Sequence, residues 1–386
     1  MKKCSLENSK GGKYILLKHL YNLDALLLSN LVGGNNQKAT NNMSNSIFND
    51  NGIFGTRKIG PDQYEMHIPI PTEDGLVGRE CPNSECSPGY FKVKLGTGIT
   101  EGQTLAYCPY CRQEGEPSDF TTKAQIDYAL GALKNEVVKG IEKSIQKALG
   151  LGSSHKKTFG SGMFKMEMSY KPSMPDYVPR PLEEELRRDI ICPNCGLEHA
   201  VFGLATWCPD CGKDIFICHV DTEFEVIQKV LSVLDKRCEE LGARVAGRDI
   251  ENGLEDTVSV FEAVLKIMTK KHLANIGISP NEIIKRLEKI RNSYQNVNSA
   301  GETFRTQTGL ELFHNVTQDE VETLNKIFEK RHPITHNLGV VDKKYLERVR
   351  SGEVEGREIR VTAQEVERAI QISKKIITST YEINYQ

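Results

Sequence analysis

Two groups of residues in this 386-residue chain have the types and spacing for chemistry. Eight of its eleven cysteines fall in four close pairs: Cys81 with Cys86, Cys108 with Cys111, Cys192 with Cys195, and Cys208 with Cys211. The second group is the stretch EKRHPITHN at 329–337, which gathers Arg331, His332, Pro333 and His336 where an amphipathic helix should end.

A tetrahedral zinc ion takes four soft ligands from two tight turns brought face to face, and a Cys-x-x-Cys turn supplies two of them. Cys195 and Cys208 are separated by twelve residues, the length of a short hairpin. Cys86 and Cys108 are separated by twenty-one residues, within which YFKVKL and TLAY are expected to pair as strands. Every pair opens with Cys-Pro (CPNSEC, CPYC, CPNC, CPDC), so the two modules look like an internal repeat. No secretion signal is evident, which favours thiolates holding metal over a disulfide framework. Redox chemistry would need a thioredoxin-like strand-helix setting that neither module has. The expectation is two structural Zn2+ ions per chain, each with its coordination filled by four thiolates. Cys4, Cys218 and Cys238 remain outside the pairs.

At 329–337 three chemistries compete. Cationic side chains favour a helix C-terminus and proline stops a helix, which would make the cluster structural. His332 and His336, four apart, could share a metal, although no third ligand is near in sequence. A histidine titrating near neutrality can also serve as acid or base beside an arginine that neutralises phosphoryl oxygens.

The elements that must position these residues follow from periodicity and punctuation. A formal net charge of -2 excludes a globally basic, polyanion-binding molecule, so any nucleic-acid contact must be local. No apolar run reaches the length of a membrane span, and a soluble, cytoplasmic protein without membrane contact is expected. Residues 1–61 read as a flexible, Asn-rich N-terminal arm in which Met43 is a candidate internal start, and 62–120 as the first zinc ribbon. Residues 121–188 form a connector with a helix, striped by Ile126, Leu130, Leu133, Val137, Ile141 and Ile145, then a strand in MFKMEMSY and a proline-rich linker. Ten Lys or Arg against five Asp or Glu at 122–180, with Phe159, Phe164, Tyr170 and Tyr177, is the composition of a single-strand nucleic-acid groove, or of a solvated face beside core aromatics.

Residues 189–219 are the second ribbon, and 220–386 read as a helical bundle. Its stripes are Phe224, Ile227, Leu231, Leu234, Cys238 and Leu241, then Ile250, Leu254, Val258, Phe261, Leu265 and Met268. Ser279-Pro280 with Glu282 and Thr317 with Glu320 mark two further helix starts. A last helix over 363–381 carries Val366, Ile370, Ile377 and Tyr381. The fold class expected is therefore multidomain: two small β zinc ribbons with a mixed α/β connector, followed by an all-α bundle.

Arg331, the polar His332 directly after it, and His336 after four intervening residues resemble the R-x4-6-H motif of HEPN domains, in which Asn, Asp or His usually follows the arginine. The motif lies late in an all-helical segment, as in that family, and THN at 335–337 is in the family's style. Pro333 departs from the pattern. The resemblance covers 220–386 and implies a metal-independent endoribonuclease that cleaves RNA by 2'-OH attack, as a homodimer whose two motifs meet in one cleft. It assigns His336 as acid or base, Arg331 as transition-state clamp and His332 as the orienting residue. It also implies an acidic residue on an earlier helix, for which Glu251, Glu255, Asp256 and Glu262 are candidates. Relatives of this kind act as toxins or antiviral-defence effectors, which would bring in a regulatory or trigger protein. The rival expectation is a non-catalytic zinc-ribbon adaptor for nucleic acid or protein, dimerised through its bundle.

Overall fold

The computed structural model describes residues 74–148, 187–349 and 352–385, together with 67–70, residue 72 and the short strands Ser5–Glu7, Tyr14–Lys18, Arg57–Gly60, Gln63–Glu65, Lys156–Phe159 and Met166–Ser169. Apart from those strands, the arm at 1–61 with Met43 and the proline-rich linker with Tyr170 and Tyr177 lie outside the described residues, as does Phe164. The strand expected in MFKMEMSY is Met166–Ser169, antiparallel to Lys156–Phe159. The chain divides into two units, Met1–Gly203 with Trp207–Lys213, and Leu204–Thr206 with Asp214–Gln386.

In the first unit the strands are β1 (Leu76–Glu80), β2 (Tyr90–Lys94), β3 (Ala106–Tyr107), β4 (Glu114–Gly115), β5 (Arg188–Ile191) and β6 (Glu198–Val201). The two cysteine modules, expected as separate ribbons, contribute to one antiparallel sheet of order β5-β6-β2-β1. YFKVKL therefore does not pair with TLAY: β2 pairs with β1 and β6, while β3 pairs with β4. Each hairpin closes across the first cysteine turn of its module, so the strand before the cysteines, not the strand between the pairs, is the local partner. Leu76, Val77, Phe91, Ile190, Ala200 and Val201 are buried, and Phe91 meets Phe120 edge-on at 6.0 Å.

Helix α1 (Lys123–Ala148) starts from a reciprocal cap in which the Gln125 amide N–H donates to Thr122 Oγ1 and Gln125 Oε1 accepts from Thr122 N–H, both at 3.2 Å. The Gln125 side chain then donates to the Gly78 carbonyl at 2.9 Å. That anchor turns Gln125, Ala129 and Leu133 inward and leaves Leu130, part of the expected stripe, exposed. A polar side chain sets the face here, which apolar periodicity does not register.

The second unit is helical: α2 (Phe216–Ser232), α3 (Leu234–Leu241), α4 (Ala243–Asn275), α5 (Pro280–Ile290), α6 (Val297–Thr308), α7 (Gln318–Glu329), α8 (Arg331–Asn337), α9 (Lys343–Arg348) and α10 (Ala363–Tyr385). The first expected stripe holds through Phe224, Ile227 and Leu231 but breaks at Val233, and Cys238 and Leu241 are exposed. No residue between Leu231 and Ala246 is fully buried, and of α3 only the half-buried Leu234 packs on the core, so its remaining turns are weakly held in register with α2. The second stripe buries Leu254, Val258, Phe261, Leu265 and Met268 in α4. Thr317 and Glu320 form the capping box expected of them, and Pro280 starts α5, although the Ser279 side chain makes no cap bond. Val366, Ile370, Ile377 and Tyr381 of α10 are buried as the spacing requires. Among the described residues no helix is long and apolar enough to cross a membrane.

Candidate functional site

The eight paired cysteines form two clusters, Cys81 with Cys86, Cys108 and Cys111, and Cys192 with Cys195, Cys208 and Cys211. The sulfurs approach at 3.6 Å for Cys81–Cys111 and Cys86–Cys108, 3.8 Å for Cys192–Cys211 and 3.5 Å for Cys195–Cys208. A disulfide would need about 2.05 Å. A tetrahedron with Zn–S of about 2.3 Å has edges of about 3.8 Å, so the donor sets fit such an ion.

Local backbone explains the fit. After the second cysteine of three turns stands a left-handed residue, Arg112 (φ 62), Gly196 (φ 76) or Gly212 (φ 62). Its N–H donates to the carbonyl of the first cysteine, for Cys108, Cys192 and Cys208 at 3.0, 2.9 and 3.0 Å. Amide N–H groups also point at sulfur, Tyr110 to Cys108 at 3.5 Å and Asn194 to Cys192 at 3.4 Å, which stabilises thiolate character. The wider Cys81–Cys86 turn closes differently, through Cys81 N–H to the Gly89 carbonyl at 2.8 Å. Hydrogen bonds from Cys108 and then Cys86 push the Cys111 thiol down to about 2, while the bonds to Cys111 and Cys86 push Cys108 far up. Without a cation the cluster cannot hold four thiolates.

The two clusters are tied to each other by matched contacts. Tyr107, just before Cys108, donates its N–H to the Pro209 carbonyl at 2.8 Å, and Trp207, just before Cys208, donates to the Pro109 carbonyl at 3.1 Å. The residue after each second cysteine then packs on the opposite aromatic: the Arg112 guanidinium lies 4.6 Å from the Trp207 ring centroid, and Gly212 approaches the Tyr107 ring so closely that a Cβ there would lie 2.8 Å from it.

In the second unit α7 ends at Glu329 and α8 begins at Arg331, so Pro333 falls in the first turn of a new helix, where its missing N–H is not needed. The kink or break expected at Pro333 itself falls instead just before Arg331. Pro333 and Ile334 are buried and seat α8 on the core, while Arg331, His332, Thr335 and His336 line a cavity of about 640 Å3 on its other face. The rings of His332 and His336 are 5.1 Å apart. Asn292, Gln295, Asn296, Asn298 and Ser299 line the same cavity, with Lys344 and Arg348 from α9.

Arg331, His332 and Thr335 each have a polar partner, whereas His336 is exposed and, among the described residues, meets only the His332 ring. Arg331 Nη1 donates to Gln295 Oε1 at 2.7 Å, and Gln295 Nε2 donates to Glu262 at 2.7 Å. Thr335 donates to Glu255 at 2.8 Å. Of the four acidic candidates, Glu262 thus reaches the motif through Gln295, and Glu255 directly. Glu251 pairs instead with Arg244 and Arg248. Burial, then the charges of Glu255 and Glu223, raise the Asp256 carboxyl. His332 Nε2 stands 3.7 Å from Asp342, whose other oxygen caps α9 by accepting from Tyr345 N–H at 2.8 Å. Burial, then the Lys344 charge, lower the His332 pKa, and the neutral imidazole is favoured.

Sequence reasoning missed Gln295, Asn296, Glu329, Asp342, Lys344 and Arg348. Glu329 is 5% exposed, held by Asn296 and, at 3.4 Å, by Arg348. Its signal was an acid next to Phe328, at the edge of the apolar face of α7, and that of Asn296 was a capping residue before Val297. Comparison with known proteins adds no relative: no family model, curated protein or solved structure matches the chain.

Proposed function

We propose that this protein is a HEPN-type, metal-independent endoribonuclease whose R-x4-H residues act in the α8 cavity. The observation that carries this reading is the convergence of Arg331, His332, His336, Lys344 and Arg348 on one cavity beside a neutral amide wall. Cations and imidazoles together suit a phosphodiester whose transition state gains negative charge. In the reaction the ribose 2'-OH attacks the adjacent phosphorus and the bond to the 5'-oxygen breaks, giving a 2',3'-cyclic phosphate and a 5'-hydroxyl. His336, exposed in the cavity, takes or returns the proton, Arg331 neutralises the phosphoryl oxygens, and His332 orients the phosphate. One copy supplies part of the acid and base set; a homodimer with facing motifs supplies the rest.

The eight paired cysteines would hold two zinc ions, which supply folding energy to the sheet and no chemistry to the cut. A cytoplasmic toxin or antiviral-defence effector, restrained by a regulatory or trigger protein, is the setting that suits such an activity. Purified protein is expected to cut single-stranded RNA in EDTA, leaving 2',3'-cyclic phosphate ends. His336→Ala should lower the rate at least about a hundredfold, the low end of general acid-base contributions, without changing the melting temperature. Equal inertness of wild type and variant toward varied RNAs, with the activator present, would replace this reading by the non-catalytic adaptor.

A further inference from the structure

The cavity has two chemically different walls. One, from α8 and α9, carries Arg331, His332, His336, Lys344 and Arg348; the other, at 292–299, is uncharged; between them the end of α7 adds Phe328 and the buried Glu329, which Arg348 pairs at 3.4 Å. At about 640 Å3 the cavity is in the range that encloses a small organic ligand, far more than one phosphate needs.

The uncharged wall divides further. Gln295 is spent at both ends, its oxygen on Arg331 and its nitrogen on Glu262. Asn296 is spent as well, with Oδ1 accepting from Ser299 N–H at 2.9 Å and Nδ2 donating to Glu329. These two residues fasten the segment to α7 and α8. The side chains of Asn292, Asn298 and Ser299 are not used in that way: they line the cavity without a hydrogen bond among the described residues. Asn292 stands at a helix start and yet does not cap it.

A phosphate offers acceptors only, so it would use the carboxamide donors and leave their oxygens idle. A nucleobase edge offers donor and acceptor side by side and uses both. We infer that Asn292, Asn298 and Ser299 form a base-reading wall, so that the cavity takes single-stranded RNA with a selected base next to the phosphate on Arg331. The inference rests on the ribonuclease reading. Single strand follows because the edge must be unstacked to reach the wall, and adenine is the base expected, since one carboxamide can accept from its N6 and donate to its N7.

The test is sequencing of cut sites in a randomised single-stranded RNA with the full-length protein. Wild type should favour one base beside the cut by about tenfold, within the reach of one bidentate pair, and both Asn298→Ala and Asn292→Ala should flatten the preference. A preferred base other than adenine, lost in these variants, supports the wall and corrects the base. Cuts spread evenly over four bases, or a preference unchanged in both variants, overturn the inference. If wild type cuts nothing, the ribonuclease reading fails separately, and calorimetry with adenosine and uridine 3'-monophosphates decides the wall. Tighter adenosine binding that Asn298→Ala removes supports it; equal binding of both nucleotides overturns it.

Discussion

At the scale of single residues, the α8 cavity shows how a short motif is held by groups it does not contain. Arg331 cannot be aimed by its own long side chain, and the Gln295–Glu262 relay fixes it at 2.7 Å per step. His332 is a different case, because its environment sets its charge. It faces Lys344, Asp342, Arg348 and His336, and burial outweighs the favourable Asp342 charge, so its pKa is lowered. The unfolded chain, with an ordinary histidine near about 6.5, then binds more protons than the folded one as pH falls through that value. Stability from this group is undiminished above pH ~6.5 and declines below it until the folded pKa is passed. His332→Gln should therefore lose less stability than wild type between pH 7.5 and 5.5, read as the change in denaturation midpoint. A larger loss in the variant would mean that the charged imidazole is favoured in the fold, contrary to its surroundings. Glu329 could serve no such role at the surface: enclosed and held by Asn296 and Arg348, it ties α6 and α9 to the end of α7.

At the scale of elements, the glycines of two helices have opposite expected effects. Gly247 in α4 has nothing within 4 Å of an added Cβ, so Gly247→Ala should stabilise by about 0.5–1 kcal/mol through helix propensity alone. At Gly301 in α6 the same methyl would lie 2.6 Å from Phe313 Cε2 and 3.1 Å from Cδ2. Overpacking of that kind costs about 1–3 kcal/mol, more than the propensity gain, so Gly301→Ala should destabilise by about 1 kcal/mol. Urea midpoints of both variants check the pair, and a destabilised Gly247→Ala or a stabilised Gly301→Ala would contradict it. Helix α6, like α9, is an element that sequence reading did not recover. Its buried residues are only Val297, Ala300 and Phe304, too few for a stripe, and its start depends on Asn296, whose capping role is local and polar. The cysteine turns were legible because ligand pairs keep a fixed spacing within a few residues; a break near Pro333 was legible because proline removes a donor, but the new helix that starts at Arg331 and runs through Pro333 was not. The pairing of β2 with β6 was not, because the strands are about a hundred residues apart and spacing within either module is silent about the other. The same holds for the cavity, whose motif is contiguous but whose wall comes from Asn292 to Ser299 and from α9.

At the scale of the molecule, the two cysteine clusters behave as one structural object within the first unit. Their hairpins share a sheet, their turns exchange Tyr107 to Pro209 and Trp207 to Pro109 hydrogen bonds, and Asp210, between Cys208 and Cys211, accepts from Ile99 N–H at 2.9 Å and Gln103 at 3.0 Å. Losing either cluster therefore removes partners from the other, whereas the helical unit has its own core around Leu254, Phe261, Phe304 and Ile377. Metal binding to such sites is linked to folding, so this coupling should appear as cooperativity. Native mass spectrometry during stepwise addition of a strong zinc chelator should show chains with two zinc ions and with none, and few with one. Cys192→Ser, which removes one ligand from the second cluster, should reduce zinc by more than one ion per chain while the helical circular dichroism signal largely persists. An abundant, stable one-zinc species would show that the reciprocal hydrogen bonds join the turns without coupling their metals, because each cluster would then fold its own module unaided.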